Sequence, residues 1–223
     1  MERPLLDELD GEGGEQRDGE QQEADGGFDN AAYALDAAAS GETVVVRAGT
    51  YRESLTLYNK TLTVQAYPHE QVWVKGSVVV SGWVQEGSIW RKDGWSFRVP
   101  HLSPPSGYID PAYPMAGYPD MVFIDGAALA QVSSKAQVGA GRFYLDEASS
   151  QLYIGDNPTG RIVEAAAQRN VLQLYNASDS KILGLGFAHA ASQTDSAGSA
   201  LIVNTSNRVL IENNAFAWNA GSG

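Results

Sequence analysis

Between Thr43 and Ser77 the chain reads TVVVRAGTYRESLTLYNKTLTVQAYPHEQVWVKGS, four short alternating segments in a row with no helix between them. Val44 and Val46, Leu55 and Leu57, Leu62 and Val64, and Val72 and Val74 fall on one face, while Thr, Ser, Lys, Gln and Arg fall on the other. Alternation of period two over four to six residues predicts half-buried strands, because successive side chains of a strand point to opposite faces. Val44 and Leu62 lie 18 positions apart, and Leu55 and Val72 lie 17 apart. A near-constant recurrence predicts a chain that winds round and stacks on itself, an all-β solenoid of parallel strands.

The flanking segments divide the chain into four predicted regions. Residues 1–27 hold ten acids against two bases and almost no aliphatic side chain after Leu9, a composition that predicts a disordered acidic tail. Residues 28–82 hold the first coils and, ahead of them, the helix AAYALDAAAS, capped by Asp29 or Asn30 and ended by Gly41. Such a helix would cover the open end of the apolar column. Residues 83–165 change texture: Trp83, Trp90 and Trp95 are followed by a Pro/Tyr-rich loop, then by two strands joined at Asp146–Ser150. This region is predicted to be a small inserted antiparallel β module, with the tryptophans in the core between it and the solenoid and at least one largely buried.

Residues 166–223 resume the coils. LQLYNASDSKILGLGF and LIVNTSNRVLIENNAF are two copies of one pattern, each with a buried Phe, and Phe187 and Phe216 stand 29 positions apart. Asn213 and Asn214 are predicted at a corner, where Asn tolerates left-handed backbone and bonds along a ladder of stacked turns. The sequons at Asn59, Asn176 and Asn204 fit the same turn chemistry. The text stops inside the repeat, which reads as truncation.

Charge and composition exclude several roles. Residues 28–223 account for only −4 of the formal net charge of −12, and no basic patch occurs, so nucleic acid is not an expected partner. The chain has no cysteine, which removes disulfides and thiolate metal sites, and no two of its three histidines have metal-ligand spacing. No apolar run approaches the ~20 residues that span a bilayer, and no secretory signal is visible. Membrane insertion is not expected.

Three stretches carry a resemblance: ALDAAASGETVVVRAGTYRESLTL, SKILGLGF and NRVLIENNAF. They resemble the right-handed parallel β-helix proteins of the pectin-lyase-like superfamily, with the GTY-R-E turn the most specific element. The similarity covers about residues 28–82 and 166–223. The insert, with MVFIDGAALAQV and FYLDEASSQLYIGDNP, is similar to a small β module of some carbohydrate-active members. The resemblance implies the N-terminal part of a secreted, monomeric protein acting on polysaccharide, a lyase before a glycoside hydrolase. The alternative is a non-catalytic carbohydrate-binding or adhesin-type β-helix. Ca²⁺ in the full-length protein is the cofactor it would allow.

Elimination needs a base and a cation beside a uronate, and hydrolysis needs two carboxyl groups across the glycosidic bond. Neither set assembles from the sequence, so catalytic residues stay unassigned. His189 is the strongest single candidate for contact with substrate, because it opens the loop HAASQTDSAGSA, with Asp195 six residues on. Its bland alternative is a surface histidine. Tyr108, Tyr113 and Tyr118 form an aromatic row that could stack on sugar rings, or could pin a long loop. His69 and His101 read as solvated turn residues, and Asp125, Asp146 and Glu212 show no evident partner.

Overall fold

A computed structural model describes residues 30–101, 109–192 and 199–220; the acidic tail lies outside them. Helix α1 (Ala31–Ala37) precedes β1 (Thr43–Val46), β2 (Gly49–Tyr51), β3 (Leu55–Tyr58), β4 (Thr63–Ala66) and β5 (Val72–Lys75). Then come β6 (Ser77–Val79), β7 (Val84–Glu86), β8 (Ile89–Asp93), β9 (Val122–Ile124), β10 (Ala127–Ala128), β11 (Ala130–Gln131), β12 (Arg142–Asp146), β13 (Gln151–Ile154) and β14 (Val163–Ala166). The remainder are β15 (Leu172–Tyr175), β16 (Lys181–Leu183), β17 (Gly186–Ala188), β18 (Leu201–Asn204), β19 (Leu210–Glu212) and β20 (Ala215–Ala217). The described residues fall into two compact units, 30–75 with 170–188 and 200–218, and 76–101 with 109–169, 189–192, 199 and 219–220. No described helix is long and apolar enough to cross a membrane.

The first unit is nearly all β and its sheets are parallel. β1, β4, β16 and β19 form one sheet, β2, β5, β17 and β20 a second, and β3, β15 and β18 a third. Successive strands visit these sheets in a fixed cyclic order, and each circuit adds one strand to each sheet. Period-two alternation places the eight aliphatic residues from Val44 to Val74 inside, all at 3% exposure or less. Register then stacks like on like in rows: Val44, Val64 and Ile182; Leu55, Leu172 and Leu201; Val74, Phe187 and Phe216. Burial of each Leu or Val side chain contributes roughly 1.5–3 kcal/mol.

The recurrence read from the sequence mixed different sheets. Val44 pairs with Val64 and not Leu62, Leu55 pairs with Leu172, and Val72 pairs with Gly49. Each circuit carries three strands, so two apolar segments separated by a similar chain length need not be neighbours in one sheet. Phe216, expected inside, is 39% exposed. β20 is an outer strand of its sheet, so Phe216 has Phe187 on one side only, with ring centroids 5.4 Å apart.

The helix is held at both ends by side chains from the coils. Asn30 Oδ1 accepts from Tyr33 N at 2.7 Å, and the Glu53 carboxylate accepts from Ala31 N and Ala32 N. Lys60 Nζ donates to the carbonyls of Leu35, Asp36 and Ala38. These bonds satisfy terminal backbone groups that the helix itself cannot pair. Burial pushes the Glu53 carboxyl above its ordinary value, with the two helix N–H groups acting against it. The helix ends at Ala37, ahead of the expected stop at Gly41, because Glu42 Oε2 captures Ala39 N.

The second unit contains antiparallel pairing. β6, β14, β9 and β10 form one sheet, and β7, β8, β13, β12 and β11 another, with β12 and β13 joined as a hairpin. Val80, Val122, Ile124, Phe143, Leu152, Ile154 and Val163 form its core. Trp83, Trp90 and Trp95 are each partly buried and pack against this core.

Candidate functional site

A cavity of about 300 Å³ opens in the second unit. The end of β12 and the following turn supply Tyr144, Asp146 and Glu147, β11 supplies Gln131, and the segment before β9 supplies Tyr118 and Asp120. His101 completes the wall and stacks on Tyr118, with ring centroids 4.2 Å apart and planes inclined by 13°. His101 Nδ1 stands 4.0 Å from Glu147 Oε1. Arg98 fixes the turn that carries Glu147, since its guanidinium donates to the carbonyls of Trp95, Phe97 and Glu147 and to Ser150 Oγ.

The carboxyl groups of this wall are pushed in opposite directions. Burial raises the pKa of Asp120, a bond from Gln131 opposes the shift, and the charge on Glu147 adds to it. Asp146 is held low, chiefly because Ser149 donates to it. Burial and the neighbouring Asp146 charge raise the Tyr144 phenol. Divergent acids in one cavity can hold a proton at one place and a negative charge at another. Flat rings and carboxylate acceptors together suit a ligand with an apolar face and a rim of hydroxyls.

Of the residues singled out in the sequence, Tyr118 lies in this wall. Tyr113 is 69% exposed and is not among the lining residues. Tyr108 and Asp195 lie outside the described residues. His189 follows β17 with a positive φ of 63° and is 3% exposed, so it is not a surface histidine. Its Nδ1 lies 2.7 Å from Ser77 Oγ, which donates to Glu164 Oε1 at 3.1 Å, and its ring stacks on Phe123 at 3.8 Å.

This buried cluster is not a nucleophilic triad. In a triad the imidazole lies between hydroxyl and acid, whereas here Ser77 lies between His189 and Glu164. All three are shut from solvent. Their role is to satisfy one another's polar groups inside the unit.

Several wall residues escaped sequence reasoning. His101 is a stacking partner and not a free turn residue, and Asp120, Gln131, Tyr144 and Glu147 went unnoticed. The string YLDE at 144–147, just before a turn, was the available signal for four of the lining residues. The isolated carboxylates also gain partners: Asp125 pairs with Arg161 at 2.7 Å and Asp146 accepts from Ser149 at 3.2 Å.

No protein-family model and no curated protein matches the sequence. Among solved structures, that of XylC in complex with xylose is similar over 84% of this chain and 39% of its own, with a TM-score of 0.61 and 17% identity. The likeness is one of fold. A structure of a glycoside hydrolase matches over 67% of this chain and 43% of its own, with a TM-score of 0.41 and 13% identity. This chain therefore spans less than half the length of either structure.

Proposed function

We propose that this chain is part of a secreted, right-handed parallel β-helix protein of the pectin-lyase-like type that acts on polysaccharide, with the cavity at Tyr118 as a sugar-binding subsite. The observation that carries the reading is the wall itself, where the stacked His101 and Tyr118 rings meet the acceptors Asp120, Asp146 and Glu147. A pyranose offers a flat C–H face to the rings and hydroxyls to the carboxyl groups. The fixed cyclic order of the parallel strands supports the solenoid part of the proposal, and the fold shared with XylC, solved with xylose, supports the choice of ligand class.

A second surface fits the same reading. Tyr58 and Tyr175 are register partners on the outward face of the sheet formed by β3, β15 and β18, and Tyr58 is 60% exposed. Adjacent aromatic rings on a parallel sheet offer an extended glycan a second place to stack.

The test is to titrate the purified chain with xylose and xylo-oligosaccharides by NMR, then incubate it with polysaccharides and assay both new reducing ends and unsaturated uronides. Shifts of Tyr118 and Tyr144 resonances on titration support the reading, and their absence for every glycan overturns it. Binding with neither product identifies a binding module.

A further inference from the structure

Resting on that reading of the cavity as a sugar subsite, we propose that it selects uncharged sugar residues and rejects uronic acids. Asp120, Asp146 and Glu147 enclose it, and no lysine or arginine is among its described lining residues. A sugar carboxylate placed there would face the like charge of these groups, screened by solvent where they are exposed. A neutral sugar meets the same groups as hydrogen-bond acceptors, and its hydroxyls supply the donors.

Arg98 and Lys135, whose charges act on Asp120 and Asp146, do not line the cavity and are held by other partners. Arg98 is tied to three backbone carbonyls and to Ser150 Oγ. Lys135 pairs with Glu86 and reaches Tyr153. His101 faces Glu147 and stacks on Tyr118.

The selection bears on the chemistry. β-Elimination removes the proton beside a uronate carboxyl and relies on a cation to neutralise that group. A subsite that excludes uronates does not serve this reaction, whereas glycoside hydrolysis draws on carboxyl groups of the kind found here. The order suggested by family resemblance, lyase before hydrolase, is thereby reversed for substrates bound in this cavity.

The experiment titrates the whole chain by NMR with the methyl glycosides of xylose, glucose and galactose and with matching glucuronate and galacturonate, at low and at high salt. The expected result is that at least one neutral glycoside binds and that its uronate binds about tenfold more weakly or worse, the difference shrinking in salt. In Glu147→Gln and Asp146→Asn, whose side chains lie on a partly exposed turn, the gap should narrow, with Asp120→Asn as a third variant. Uronates that bind as well as their neutral counterparts overturn the selectivity and leave the sugar subsite standing. Failure of every sugar to bind overturns both.

Discussion

Asn176 donates its side-chain amide to Asn59 Oδ1 at 2.8 Å, although 117 residues of sequence separate the two. Both sit at corners with left-handed backbone, φ 51° and 55°. The bond therefore links rungs of the parallel coils that are separated in sequence by residues 76–169. Substitution of Asn176 by Ala loses this bond and also replaces a residue that tolerates left-handed backbone with one that does not, together costing about 2 kcal/mol. Asn176→Gly keeps the backbone conformation and should lose only ~1 kcal/mol. Urea unfolding of both variants checks the order; equal losses would show that backbone conformation is not the issue.

Gly186 lies against the Trp73 indole, and a Cβ added there would stand 2.5 Å from ring atom Cε3. Gly186→Ala is expected to destabilise by about 1–3 kcal/mol through overpacking. Adding Trp73→Leu to the same chain should recover part of that loss. Thermal unfolding of the single and double variants reads the coupling directly, and additive effects would refute it.

Ser77→Ala removes both the bond to Glu164 and the one to His189 inside a solvent-free cluster. The expected cost is about 1–3 kcal/mol, seen as a lower denaturation midpoint. Glycan binding by the folded fraction should not change. A variant that keeps its stability but loses glycan handling would instead make His189 a functional residue.

Tyr118→Ala removes the stacking partner of His101. Affinity for a neutral sugar should fall about fivefold, the equivalent of ~1 kcal/mol for a stacked aromatic pair. Tyr113→Ala, whose ring is exposed and away from the cavity wall, serves as the control and should bind as before. Isothermal titration of the two variants side by side measures the difference.

Two carboxyl groups should move stability with pH in opposite senses. Arg47 holds Glu70 below its ordinary value through a charge-assisted hydrogen bond, helped by Ala48 N–H and opposed by desolvation. The stability Glu70 contributes is present above its unfolded pKa and is lost as pH falls through its folded one. Asp120, raised by burial, is the reverse: its contribution is present below the unfolded pKa and lost as pH rises through the folded value. Glu70→Gln should flatten the acid-side loss and Asp120→Asn the decline on raising pH through the carboxylate window. Urea midpoints across that range decide it.

The alternating runs were sufficient to place β1, β3, β4 and β5 and to say which side chains go inside, because period-two geometry acts within a single strand, whereas Gly49–Tyr51, read as part of a turn, forms the further strand β2. Turn chemistry was equally local, so the corner role of Asn213 and Asn214 was legible: Asn213 takes φ 57°, and Asn214 accepts from Leu185 N and donates to Ile182 O. Which strand lies beside which was not, since pairing of Leu55 with Leu172 spans the intervening unit and no local pattern encodes it. The same holds for the sugar subsite proposed here. His101, Tyr118, Asp120 and Tyr144 are scattered along the chain, and only the hairpin and the loop packed around it bring their rings and carboxyl groups to one cavity. Burial, which raises Asp120, is a property of that assembled surface, whereas the hydrogen bond from Ser149 that holds Asp146 low is local to its turn.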